Sequence, residues 1–143
     1  MNTENTNQFD FELVSPERRL LSEKAWQVTI PGEMGDFGVR AGHASLVSSI
    51  KPGVIEIVKS QGDKAERIFI AGGFADVTAS NCTVLAEEAI LVSDLDQSIV
   101  EKQISDFESK LASANDNGEQ LRYRNLLSVE RAKLAAITGS YVA

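Results

Sequence analysis

Val54-Ile55-Glu56-Ile57-Val58, then Gln61-Gly62-Asp63, then Ile68-Phe69-Ile70 running into Gly72-Gly73: two short, largely β-branched apolar runs separated by turn residues. Runs this short between turn clusters suit strands. The same rhythm extends both ways. Phe9, Phe11 and Leu13 alternate with polar residues before Ser15-Pro16-Glu17 turns the chain. Trp26, Val28 and Ile30 alternate again, and Pro31-Gly32 is expected to end that strand. Leu46 to Ile50 precedes Lys51-Pro52-Gly53, and Phe74 to Thr78 precedes Ala79-Ser80-Asn81. Cys82 to Ala86 and Ala89 to Val92 complete the set. Turns recur roughly every 8–12 residues with no long helical pattern between them, which favours an antiparallel sandwich or barrel over an α/β sheet.

From residue 94 the period changes. Val100, Ile104, Phe107 and Leu111 step by 4, 3 and 4 and share one helical face. Asp94 or Asp96 can cap that helix by accepting backbone N–H bonds. Residues 113–118, Ser-Ala-Asn-Asp-Asn-Gly, read as a turn of about six residues. A second helix carries Tyr123, Leu127, Leu134 and Ile137 on one face, interrupted by Glu130. The expected layout is a disordered lead-in over 1–8, a β-sandwich over 9–93 and an antiparallel helical hairpin over 94–143. Two thin apolar stripes bury little, so the hairpin should need a partner surface and dock marginally.

The 143 residues carry 14 Lys plus Arg against 21 Asp plus Glu, a net charge of −7. That balance argues against a general nucleic-acid binder, which needs a basic face. Apolar residues make up 43% and charged residues 24%, a globular composition. One cysteine and one histidine exclude an internal disulfide framework and a structural zinc site. The start, Met1-Asn-Thr-Glu-Asn-Thr-Asn-Gln8, lacks the basic and apolar regions of a signal peptide. The apolar runs fall far short of the roughly 20 residues of a membrane helix. A soluble, cytosolic chain able to dock on a membrane complex is expected.

Gly32, Gly35, Gly38 and Gly42 crowd one stretch, read as tight turns shaping a projecting docking loop. A phosphate cradle would need the Gly-Lys-Ser/Thr of a P-loop and a following helix, and neither is present. His43 could serve as a general base oriented by Asp36 or Asp76, but no Gly-x-Ser-x-Gly elbow supplies a nucleophile, so a turn or interface role fits better. Cys82 opens an alternating strand and is expected to be half-buried and inert. Arg122, Arg124, Arg131 and Lys133 make the second helix locally basic, either as a solvated face or as a contact for an acidic partner. On these grounds the chain is a non-enzymatic interaction protein; a free-standing β-sandwich adaptor or ligand-binding module is the alternative to a subunit of a larger machine.

A set of ordered motifs narrows this. Phe11-Glu-Leu-Val-Ser-Pro-Glu17, Ile30-Pro-Gly-Glu-Met-Gly-Asp-Phe-Gly38, Ala41-Gly-His-Ala-Ser-Leu46, Ile50-Lys-Pro-Gly-Val54, Phe69-Ile-Ala-Gly-Gly-Phe74 and Thr83-Val-Leu-Ala-Glu-Glu-Ala89 follow one another in this order. Together they closely resemble the epsilon-subunit family of bacterial F-type ATP synthases, over residues 9–96. The hairpin resembles the family by layout only. The resemblance implies a ten-stranded sandwich followed by two helices. It also implies a non-catalytic rotor subunit of the central stalk, held between the gamma subunit and the ring of c subunits, peripheral on the cytoplasmic face of the inner membrane.

The resemblance further implies an interface with the ring and gamma at Glu33, Gly35, Asp36, Gly38 and His43. The family's prolines around the histidine are replaced here by Ala41 and Ser45, which removes two constraints on that turn. The hairpin is the family's regulatory arm, able to extend into the catalytic head and block ATP hydrolysis. Its regulatory contacts here would be Asp96, Arg122, Arg124, Arg131 and Lys133, the basic ones facing the alpha and beta subunits. Some relatives bind ATP through Ile/Leu-Asp-x-x-Arg-Ala. In Leu95-Asp96-Gln97-Ser98-Ile99-Val100 the arginine is replaced by Ile99, so no cofactor and no metal are expected.

Overall fold

A computed structural model describes residues 7–139. Ten strands precede two helices: β1 (Phe9–Val14), β2 (Arg19–Ala25), β3 (Gln27–Gly32), β4 (Gly35–Val39), β5 (Leu46–Ile50), β6 (Gly53–Val58), β7 (Glu66–Ile70), β8 (Gly73–Val77), β9 (Asn81–Ala86), β10 (Ala89–Leu91), α1 (Gln97–Ser113) and α2 (Asn117–Thr138). The strands link in the order β10-β7-β6-β3-β5-β8-β9-β1-β2, with β4 on β3. β3 is the corner between two layers: Gln27–Thr29 pair with β6, whereas Gly32 pairs with Ile50 of β5. The result is a sandwich in which β2, β4 and β10 each pair with a single neighbour and form the edges, so the sheet does not close into a barrel.

One pairing departs from the antiparallel expectation. β1 and β9 run parallel, with Phe11 opposite Cys82 and Leu13 opposite Val84. The long stretch of chain between them removes the need for a tight hairpin. Alternation then sets the core: Phe9, Phe11, Leu13, Val28, Ile30, Ile55, Ile57, Ile68, Ile70, Val77 and Val84 all point inward and are buried.

Two strands have no counterpart in the sequence reading. β2 occupies Arg19–Ala25, and the glycine-rich stretch is not a loop but contains β4. Pro31 and Gly32 do not end β3 either; they pair with Asp36 and Gly35. Gly32 is required there, because a Cβ would lie 2.8 Å from the Gly35 carbonyl oxygen and 2.9 Å from the Phe37 ring.

The runs Val54–Val58 and Ile68–Ile70 carry apolar residues on both faces, Glu56 aside, for a reason the fold makes plain. Their outward residues Val54 and Phe69 are covered by Val129, Ala132 and Ala136 of α2, with Ala71, Val92 and Leu95 alongside. α1 packs on α2, where Phe107 and Tyr123 rings sit 6.2 Å apart and Arg131 meets Glu108 at 3.1 Å. Asp96, not Asp94, caps α1 by accepting from the Ser98 and Ile99 N–H groups. The interhelical turn is Ala114–Asp116, shorter than expected: Asp116 caps α2, and Gly118 lies inside its first turn. Gly139 ends α2 in the left-handed conformation. Of the expected lead-in, residues 1–6 lie outside the described residues, and Gln8 Nε2 donates to the Lys59 carbonyl at 2.9 Å. Residues 140–143 of the expected hairpin segment are also outside them.

Candidate interaction surfaces

The sandwich has two ends and one bare face. At the first end, the β3–β4 turn projects Glu33 and Met34, the latter fully exposed. Glu33 N–H donates to the Ser49 carbonyl at 3.1 Å and Lys51 N–H to the Pro31 carbonyl at 3.0 Å, which ties this turn to the β5–β6 connection. Gly35 has φ 126°, open to glycine and to few other residues. Asp36 is exposed beside the tip. Glu87 and Glu88, in the β9–β10 turn, join the same end through the Gly72 and Ala71 backbone. The first end is therefore acidic, with one exposed apolar side chain at its summit.

His43 is at the other end. β4 separates it from Glu33 and Gly35, and its five residues at about 3.3 Å each hold the two apart by more than roughly 13 Å. Gly42 N–H donates to the Ala79 carbonyl at 2.7 Å and His43 N–H to the Arg40 carbonyl at 3.1 Å, and Arg40 lies over the Trp26 ring at 4.1 Å. His43 Nδ1 donates to the Ala44 carbonyl at 2.6 Å, which makes it a turn-forming histidine. Gly38 lies mid-strand opposite Thr29. The structure thus brings Glu33, Gly35 and Asp36 together and places Gly38 and His43 progressively away from them.

The bare face is the outer side of β5, β8, β9 and β1. Phe74 pairs with Leu85 and Leu85 with Val14, giving an apolar row across three strands. Val47 is 72% exposed, Phe74 56% and Leu85 43%, far above what an interior position would show. Apolar exposure on adjacent strands makes this face a candidate interaction surface. Beneath it Cys82 is fully buried rather than half-buried, and burial first, then the Asp76 charge, pushes its thiol pKa up to about 12, which disfavours the reactive thiolate.

Residues 8–92 match the sequence-family model for the ATP synthase delta/epsilon chain β-sandwich domain. This chain belongs to the ATP synthase delta/epsilon family. It is 47% identical to the ATP synthase epsilon chain of Maricaulis maris over 110 residues, 77% of this chain and 81% of that one. It is 42% identical to the epsilon chain of Rhodospirillum rubrum over 130 residues, 91% of this chain and 96% of that one. Among solved structures it resembles a chain of the Euglena gracilis mitochondrial ATP synthase assembly of OSCP, F1 and c-ring, with TM-score 0.81 and 25% identity, covering 91% of this chain and 81% of that one. A chain of the Tetrahymena thermophila central stalk and c-ring structure matches with TM-score 0.69 at 12% identity, covering 90% and 96%, and shows the shared fold.

In this member of the family the basic residues of α2 are not equivalent. Lys133 is in the docking seam, its ammonium 3.2 Å from Glu88, 3.0 Å from Glu130 and 5.9 Å from the centre of the Phe69 ring. Burial alone pulls its pKa down, but the hydrogen bonds and charges of Glu130 and Glu88 outweigh this and hold it above the ordinary lysine value. Arg131 bonds Glu108 within the hairpin. Arg122 and Arg124 are exposed, Arg122 over the Tyr123 ring at 5.6 Å. Asp96 Oδ1 accepts from Ser98 N–H, Ser98 Oγ–H and Ile99 N–H, and these bonds hold its carboxyl below the usual range. The sequence reading missed the bare face, and it expected the hairpin to need a partner surface without placing that surface on β6 and β7. Its one available signal was the doubly apolar character of β6 and β7, which requires a cover.

Proposed function

We propose that this chain is the central-stalk rotor subunit of a proton-translocating F-type ATP synthase, linking the gamma subunit to the c-subunit ring so that ring rotation is coupled to ATP synthesis. The observation that carries this reading is the near full-length match to ATP synthase epsilon chains, with a structural counterpart in an assembly of F1 and c-ring. The subunit itself is non-catalytic. It sits peripherally, on the cytoplasmic face of the membrane; among the described residues no helix is long and apolar enough to cross one.

Two features of the sandwich suit this role. Torque transmission needs a stiff body, and a close-packed interior of branched residues resists deformation. A body clamped between two partners needs two surfaces, and the chain offers an acidic end around Asp36 and an apolar outer face. The acidic end suits the ring's polar loops and the apolar face suits gamma. The hairpin is the regulatory arm, with Arg122 and Arg124 free to meet acidic segments of the alpha and beta subunits. No ATP site is assigned: Asp96 is engaged as a helix cap, and Ile99 supplies no cation for a phosphate.

The test is copurification. A tagged chain should bring down gamma and the c ring, and Asp36→Lys should weaken ring association and proton-driven synthesis. Intact assembly and synthesis with Asp36→Lys would contradict the ring-facing assignment.

A further inference from the structure

We propose that the segment docking on the bare sheet face is an amphipathic α-helix of the partner that crosses the strands, with apolar residues over Phe74, Leu85 and Val14 and a lysine or arginine against Asp76. This rests on the assignment of that face to gamma.

The direction of the row selects a helix. Phe74, Leu85 and Val14 lie on three adjacent strands, perpendicular to them. Neighbouring strands are about 4.8 Å apart. A helix rises about 5.4 Å per turn, so residues at i, i+3 or i+4 and i+7 fall over successive strands. An extended segment laid along the row would present same-face side chains only every 6.6 Å or so, out of step with it.

The charge selects the partner's chemistry. A second row, Val47, Asp76, Thr83 and Glu12, runs beside the first, two residues along each strand. That offset is roughly 7 Å, within reach of a helix about 10–12 Å across. Glu12 is already paired with Arg19 at 3.4 Å. Asp76 is exposed, and no ion pair or hydrogen bond of its side chain is seen among the described residues. Seating a purely apolar surface here would strip water from an unpaired carboxylate, a cost that only a cation or strong donor offsets. A basic flank also meets the chain's −7 charge favourably on approach.

The experiment measures binding of full-length chain to purified gamma subunit at about 50 and 500 mM salt, which moves the screening length from well above to near the ion-pair distance. We expect Asp76→Asn to weaken binding about tenfold at low salt and to flatten the salt dependence. Phe74→Ser should weaken it about tenfold or more and keep the wild-type salt slope. Thermal melts matching wild type establish that both variants are folded. Wild-type affinity and salt slope for Asp76→Asn, with Phe74→Ser impaired, would overturn the proposal and leave the gamma-docking assignment standing. Normal binding by both variants, or no binding by the wild-type chain, would remove that assignment and the proposal with it.

Discussion

Lys133 of α2 lies 3.2 Å from Glu88 of the β9–β10 turn, and this ion pair bridges the helical hairpin and the sandwich. The surrounding seam is small: Val129, Ala132 and Ala136 against Val54 and Phe69. Because Glu130 is only 12% exposed and also depends on Lys133, removing the cation leaves a largely buried carboxylate unpaired. Lys133→Met retains the apolar stem and isolates the charge. Glu88 is half exposed, so docking should weaken by about 1–2 kcal/mol, below the cost of breaking a fully buried pair. Amide exchange should accelerate across 129–136 while the strands stay protected.

The pH dependence of the seam follows from the raised pKa of Lys133. A raised folded-state value means the contribution is fully present below the unfolded lysine pKa of about 10.4 and is lost as pH rises through the folded value. Scattering should give a constant radius of gyration between about pH 6 and 9 and an expansion only above about 10.5. Expansion near neutrality would contradict the assignment of Lys133 as the charge holding the seam.

Among the glycines, Gly73 is the one least open to substitution. A Cβ there would lie 1.9 Å from the Leu85 carbonyl oxygen, with φ at +153°. Both atoms in conflict are held by the β8–β9 ladder, so neither yields cheaply. Gly73→Ala should cost about 3 kcal/mol or more, read as a large drop in thermal midpoint. Gly62→Ala serves as a comparison: its φ is +91° with open space around it, so strain alone acts and the cost is smaller.

Asp96 should govern the start of α1. Its lowered pKa means that the stabilisation exists above the unfolded aspartate value of about 3.9 and disappears as pH falls through the folded value. Asp96→Ala at neutral pH should reproduce the acid behaviour: faster amide exchange at Ser98 and Ile99, with the rest of the hairpin following weakly.

How far the sequence foretells this molecule varies by element. Strands with one buried face, such as β1 and β9, show their alternation openly. β2 does not, because Glu23 stands opposite Phe11 on the core side of an edge strand and is tied to Lys59 at 3.2 Å. β4 is masked because Gly35, Asp36 and Gly38 read as a turn, although backbone pairing to β3 needs no large side chains. The 4, 3, 4 spacing of α1 marks its face toward α2. The face of α2 toward the sandwich is hidden, since alanines and a neutralised Lys133–Glu130 pair build it. Asp36, at the start of β4, and His43, past its end, are seven positions apart in sequence yet lie at opposite ends of the sandwich, and only the strand's register reveals that.

The regulatory role proposed for the hairpin is tested by removing residues 94–143. The sandwich core lies within the strands, so the remaining chain should stay folded while exposing Val54 and Phe69. ATP hydrolysis by synthase assembled with the shortened chain should rise. Unchanged hydrolysis would mean that the hairpin is structural rather than a brake.

The most direct measurement is proton-driven ATP synthesis by synthase reconstituted in vesicles with and without this chain. Coupling through the central stalk predicts that synthesis collapses without the chain and returns when it is added back. Undiminished synthesis in its absence would contradict the account.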